Sequence, residues 1–289
     1  MTGSIVRSNG VRSSCFPWTK PAGMGILSGS MAKRAQRIII KLGTGILTSP
    51  AGNRLDRSQF VRLTAEVAAL VGAGHRVALV SSGAVGAGMV RLGLAKRPED
   101  LPGIQACAAV GQSRLMNLYE SLFAKHGLGV AQLLLTHPDI DSRSRYENAR
   151  NTLARLFEHR GIVPIINEND SVATEELRFG DNDRLSAEVA CLADADLLIL
   201  LTSADGLMRS VEEKGEPIPL VRDVDSVAHF AAATKGRLSV GGMVSKLQAV
   251  KYAVAHGVPV VIANGRTPGV IGRAVAGERV GTRFVARRR

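Results

Sequence analysis

The chain has 289 residues, 45% hydrophobic and 21% charged, enough for one large α/β domain or two smaller ones. Its apolar runs fall short of the about 18 residues that a membrane span requires. Of the net charge of +12, eight positions lie in the tails: Arg7, Arg12, Lys20, Lys33 and Arg34 in an acid-free stretch, and Arg287, Arg288 and Arg289 at the end. The body is close to neutral and poor in aromatic residues, which argues against a nucleic-acid surface.

Residues 1–35 read as a disordered extension, rich in Ser, Gly and Arg and without hydrophobic periodicity; "MAKRAQRIIIKLG" from Met31 would be a natural beginning. The folded part is expected over 36–289. The three cysteines, Cys15, Cys107 and Cys191, match no zinc or redox spacing, so a reduced, cytoplasmic setting is expected.

The first strand is predicted over Arg37–Leu42, with Lys41 inside an apolar run and Gly43 and Gly45 directly after it. A helix over Arg57–Ala73 leads to a strand over Arg76–Ser81, whose end, "VSSGAVGAG", runs into another helix. Glycines at such turns let backbone N–H groups approach an anion, and a helix N-terminus favours one. They are also common as plain strand-to-helix junctions, and both readings stand for either turn alone. Next come a helix over Pro102–His126, a strand over Val130–Leu135, a helix over Ser142–His159 and a strand over Ile162–Asn167. Beyond that strand, "NENDSVATEELRFGDND" holds six carboxylates and one cation, Arg178.

A helix over Asp183–Ala193 follows, then a strand over Leu197–Thr202, a helix over Gly241–His256 and a strand over Pro259–Ala263. "SVGGMVSK" opens the last helix and places Lys246 in its first turns, where a cation opposes the helix dipole and is better explained by a facing ligand anion than by solvation. Four of the histidines, His75, His126, His159 and His256, sit at helix–Gly–strand junctions. There they suit the negative end of the helix and need no metal. The alternation of elements predicts an α/β fold with a mainly parallel sheet, in which ligands bind beyond the carboxyl ends of the strands.

Several enzyme motifs are absent: the phosphate-binding GxxxxGK[ST], the protein-kinase HRD and DFG motifs, and the hydrolase GxSxG. "GAVGAG" lacks the GxGxxG order. At the strand ends, a carboxylate such as Asp170 can receive a substrate ammonium group, and a carboxamide such as Asn182 can pair with a substrate carboxylate. Asp183 can orient two lysines through charge-assisted hydrogen bonds. Asp181 reads equally as a helix cap or turn former.

Taken together and in order, "IIIKLGTG", "LVSSGAVGAG", "AAVGQSRLM", "IVPIINENDSVATEE", "FGDNDRLSAEVA" and "GGMVSKLQAVKYA" resemble the glutamate 5-kinase branch of the amino acid kinase family, over about Arg37 to Val285. The resemblance implies a three-layer αβα sandwich that transfers the γ-phosphoryl group of ATP to the γ-carboxylate of L-glutamate, with Mg2+, at the start of proline biosynthesis. Carried over by motif, Lys41 and Lys246 would stabilise charge on the moving phosphoryl group and Asp183 would hold both lysines. Ser82, Asp170 and Asn182 would bind glutamate. Lys41, Thr202, Ser203 and the loop Val240, Gly241, Gly242, Met243, Val244, Ser245 and Lys246 would line the nucleotide pocket, so that the N-terminal part takes the amino acid and the C-terminal part ATP.

The resemblance further implies proline as feedback inhibitor, glutamyl-phosphate reductase as pathway partner, a homo-oligomer, and no membrane or nucleic-acid partner. The family usually has Asp where this chain has Ser203. The loop after Asp205 lacks the family's Tyr and Asp-Pro, and the PUA domain of many relatives is not expected. The alternatives are a sibling kinase acting on acetylglutamate, aspartate, carbamate or UMP, and a nucleotide-binding regulatory module without turnover. A free ammonium group needs an acidic partner, which favours glutamate; both lysines kept together with Asp183 favour catalysis.

Overall fold

In the computed structural model the strand Arg37–Leu42 (β1) lies in the middle of the sheet, its five residues from Ile38 to Leu42 all buried. The structure describes residues 34–49, 54–173, 182–209, 216–232 and 242–286. The expected extension at the N-terminus lies almost wholly outside these residues, as do Arg178, Asp181, Val240 and Gly241.

Following β1 are β2 (Arg76–Ser81), β3 (Gly129–Leu135), β4 (Ile162–Glu168), β5 (Leu197–Thr202), β6 (Leu220–Val221), β7 (Val260–Asn264) and β8 (Thr282–Phe284). They form one eight-stranded sheet in the order β3-β4-β2-β1-β5-β7-β8-β6. The run from β3 to β7 is parallel throughout, as expected. The edge is not: β8 returns antiparallel to β7, and the short β6 pairs parallel to β8.

Both faces are covered by helices, and period-2 alternation assigns each strand residue to one of two cores. Ile38, Ile40 and Leu42 pack on one face with Phe60, Leu63, Tyr119 and Phe123, from the helices Arg57–Gly72 (α2) and Leu101–Phe123 (α4). Ile39 points to the other face, where it joins Leu185, Val189, Leu247 and Val250 from the helices Asn182–Leu192 and Met243–Ala255. Each fully buried side chain of this kind stabilises by about 1.5–3 kcal/mol. The same alternation puts Lys41 on the face of Ile39, beneath those last two helices. The expected three-layer αβα architecture is therefore present, and its alternation aims a lysine at the covering layer.

The strands β1, β2 and β5 coincide with their expected bounds, because uninterrupted apolar runs between turn residues leave little freedom. Gly74, Gly127 and Gly257 close three of the four helix–strand junctions in left-handed conformation. The fourth differs: the helix Arg143–Glu158 ends at His159 with extended backbone, and Gly161 lies in the following turn without left-handed conformation. The last long helix starts at Met243 rather than Gly241, since Gly242 is its extended N-cap. Short elements outside the expected set include α1 (Thr44–Leu47) and Val270–Ala276. The helix after β2 is Ala84–Arg91 (α3).

Two glycines let α3 cross α4 with backbone against backbone. A Cβ on Gly88 would sit 1.8 Å from the carbonyl oxygen of Cys107, and one on Gly111 would sit 1.7 Å from that of Ala84. Among the described residues no helix is long and apolar enough to cross a membrane.

Candidate active site

The carboxyl edge of the sheet carries the residues that the sequence singles out. Lys41, near the end of β1, reaches Asp183 with Nζ 2.5 Å from Oδ1. Lys246, from the first turns of Met243–Ala255, places its Nζ 2.9 Å from Oδ2 of the same carboxylate. Asp183 is completely buried, and the lysine side chains are 5% and 9% exposed. Ser245 Oγ adds a further contact to Oδ2 at 3.2 Å.

One carboxylate thus brings together two ammonium groups that are 205 residues apart in sequence. Asp183 lies in the first turn of its own helix, where the dipole favours an anion, and it offsets the opposite disadvantage of Lys246. Unpaired, such buried ammonium groups would be strongly unfavourable. The partner expected for Lys246 is therefore at least partly Asp183 itself.

Asn182, one residue earlier, is buried beside a second group of polar residues. Its Nδ2 donates to Ser81 O at 3.0 Å and Asn167 Oδ1 at 2.9 Å, and lies 3.2 Å from Ser82 Oγ. Asn167, at the end of β4, in turn donates to Gln112 Oε1 of α4 at 2.9 Å. These contacts fix the Asn182 amide across three strand and helix ends. Ser82, Asn182 and Asp170 line one cleft together with Thr44, Arg97, Asn167 and Glu168, and with Gly83 to Gly86 at the start of α3. All three residues expected to bind the amino acid therefore share one wall system, directly beside the lysine pair.

Asp170 is held in an unusual state. Burial pushes its carboxyl up to about 6, and the nearby Arg97 guanidinium pulls in the opposite direction without cancelling the effect. An acid of this kind gains most when a cation enters the cleft and favours its ionised form.

Thr202 ends β5, half-buried, and Ser203 follows it, exposed; they lie at the same sheet edge, one and two positions past the level of Leu42 and Leu201. Gly242 is exposed, and Met243, Val244 and Ser245 are half-buried in the first helical turn around Lys246. Next to Thr202 in the sheet stands Asn264, whose amide donates to Asp205 at 2.9 Å.

Some site residues were not legible from sequence. Arg97 lies in an ordinary polar loop and reaches the cleft only because α3 and α4 fold back on each other. Gln112 carries no motif. Outside the cleft lining, Tyr119 sits in the core with its hydroxyl 2.7 Å from Ser81 Oγ and its ionisation pushed far up by complete burial. Glu188, likewise outside the cleft lining, is also buried, receiving His137 Nδ1 and Arg184 Nε, each at 2.8 Å. For Asn167 the "NEND" cluster was a usable signal.

Residues 36–264 match the amino acid kinase family. A glutamate 5-kinase of Moorella thermoacetica is 48% identical over 258 residues, covering 88% of this chain and 68% of the relative. One from Thermus thermophilus is 49% identical, covering 88% and 69%, and one from Burkholderia mallei is 45% identical, covering 89% and 70%. In fold, the chain is similar to a UMP kinase from Bacillus anthracis (TM-score 0.59, 16% identity, covering 86% of this chain and 96% of that one). It is also similar to an N-acetylglutamate synthase from Neisseria gonorrhoeae (TM-score 0.60, 16% identity, covering 87% of this chain and 62% of that one). With the matched region spanning nearly all of the sheet and the identity to the first three relatives this high, the chain belongs to the amino acid kinase family, on its glutamate 5-kinase branch.

Proposed function

We propose that the chain transfers the γ-phosphoryl group of ATP to the γ-carboxylate of L-glutamate, giving L-glutamyl 5-phosphate for proline biosynthesis. The observation that carries this reading is the placement of a buried Lys41–Asp183–Lys246 cluster directly beside a cleft lined by Asp170, Asn182 and Ser82. The identity to glutamate 5-kinases supports it from a separate direction.

In the proposed reaction a γ-carboxylate oxygen of glutamate attacks the γ-phosphorus, and the bond from that phosphorus to the bridging oxygen of ADP breaks. The acceptor is already ionised near neutral pH, so no strong base is needed. What the transition state needs is positioning and positive charge around the moving group. Lys41 and Lys246 supply the charge, and Asp183 fixes their direction. Asp170 receives the substrate ammonium group, while Asn182 and Ser82 orient the acceptor end. Thr202, Ser203 and Gly242 to Lys246 form the nucleotide side of the site. The N-terminal part of the domain then serves the amino acid and the C-terminal part serves ATP.

Magnesium fits this site as a companion of the nucleotide. Among the described residues no group of three His, Cys, Asp or Glu side chains is arranged to hold a metal, and Mg2+ is commonly held largely by phosphate oxygens and water. When bound it would neutralise phosphate charge. The same reading includes a cytoplasmic setting, a homo-oligomer, proline as a competitor near the glutamate cleft, and a reductase that consumes the reactive acyl phosphate.

A coupled assay of ADP release across L-glutamate, N-acetylglutamate, aspartate and UMP tests the proposal. Turnover should require L-glutamate and magnesium. Turnover with UMP but not glutamate would transfer the assignment to a sibling activity.

A further inference from the structure

A second concavity lies apart from the cleft that holds Asp170. It is a separate cavity of about 480 Å3 between the start of α2 and the outer sides of α3 and α4. Its rim carries Arg54, Arg57 and Arg114, and none of the described residues that line it is acidic. Most arginines that pair elsewhere on the surface do so with a carboxylate, as Arg62 does with Glu66, Arg143 with Glu147 and Arg273 with Glu278. The three guanidinium groups of this rim have no carboxylate partner among the described residues. Between them the floor is apolar, formed by Leu55, Ala87 and Val90, among others.

From this arrangement we propose a binding site for a small organic polyanion, one carrying at least two carboxylate or phosphate groups on a compact carbon body. Three forked donors around an apolar floor suit planar or tetrahedral anionic groups bidentately. The volume lies in the usual range for small-molecule sites. Like-charged guanidinium groups gathered on one rim repel one another, and a multiply charged anion relieves that repulsion.

The cavity shares a wall with the active site. Gly83 to Gly86 at the start of α3 line the Asp170 cleft, while Ala87 and Val90 of the same helix line the cavity. Leu55, also at the cavity, lies so close to Gly83 that a Cβ there would be 3.3 Å from Leu55 Cδ2. An occupant pressing on Leu55 and α3 therefore acts on the entrance of the amino-acid cleft, and the site is an effector site in the sense of two ligands biasing one shared element.

Binding is measured by calorimetry on the full chain, saturated with glutamate and ADP so that the active site is filled. Two probes are used: tricarballylate, which carries only carboxylates, and phosphoglycolate, which adds a phosphate. The expected result is one further site per chain for at least one probe, with affinity lowered tenfold or more in R57A/R114A. That double variant should turn over as the unchanged protein does when no polyanion is present, and should lose the shift in glutamate KM that the probe produces in the unchanged chain. The stronger probe identifies whether phosphate or carboxylate is preferred. Absence of binding by both probes at millimolar concentration, or equal binding by the double variant, overturns the site. Binding without any change in glutamate KM overturns its effector role. The calorimetric arm does not depend on which reaction the chain performs, so its failure and a failure of the kinase reading are separable.

Discussion

Replacing Asp183 by Asn keeps the size of the side chain and removes the charge between two buried ammonium groups. At the observed separations of 2.5 and 2.9 Å, each attraction is ~6 kcal/mol at an effective dielectric constant of about 20. Much of that is offset by the desolvation of all three groups, and breaking a buried pair by removing one partner typically costs about 3–5 kcal/mol. For a domain of this size each kcal/mol lowers the melting temperature by about 2–4 °C, so a drop on the order of 10 °C is expected. Turnover should fall about 100- to 1,000-fold, as for the loss of one preorganised electrostatic element. The decisive comparison is with the double variant D183N/K246M, which removes one of the two stranded charges. It should melt at a higher temperature than D183N alone, since neighbouring groups couple. If D183N melts within about 2 °C of the unchanged protein, or if the double variant is no more stable than D183N, the buried cluster does not have the energetic role assigned to it.

Asp170 supplies a pH prediction. Its carboxyl in the folded, empty site titrates near 6, above the unfolded aspartate value of about 3.9. Its protonated form therefore favours the fold at low pH, and that contribution declines as pH rises from about 4 to 6. Glutamate binding has the opposite dependence, because an ammonium group needs the carboxylate. At saturating nucleotide, kcat/KM for glutamate should rise as pH passes 6, and D170N should raise KM about 100-fold and lose that limb; a limb unchanged in D170N would assign the titration to another group. Gly111→Ala drives a methyl group into Ala84 O and should cost about 1–3 kcal/mol or more while raising glutamate KM; thermal melting and steady-state kinetics read both effects. Tyr119→Phe removes the buried contact to Ser81 Oγ and should cost about 1–2 kcal/mol by denaturant melting with kcat unchanged.

How far the sequence reached depended on the kind of signal each feature leaves. Strands such as "RIIIKL" and "LLILLT" are covered on both faces, and their continuous apolar runs gave their limits to the residue. The short antiparallel β8, three residues long, leaves no periodicity to detect. The bounds of α3 were hidden for a different reason: two of its eight residues are glycine, which is unfavourable for helix propensity, and one of them, Gly88, is required by the crossing with α4. A lysine inside an apolar strand announced something unusual at position 41. The chemistry of Asp183 suited it to orient two lysines, and the resemblance named Lys41 as one of them, since spacing alone cannot join residues so far apart. Arg97 was invisible because its loop has the composition of any surface loop.

Asn182 and Asp183 are adjacent in the first turn of one buried helix, yet they serve opposite halves of the proposed reaction. The amide steadies the acceptor side through Ser82 and Asn167, and the carboxylate steadies the donor side through the lysines. A tilt or unwinding that releases one releases the other. On the proposed chemistry, a disturbed enzyme would fall silent rather than leak phosphoryl groups to water, because acceptor alignment and nucleotide activation are lost in the same movement.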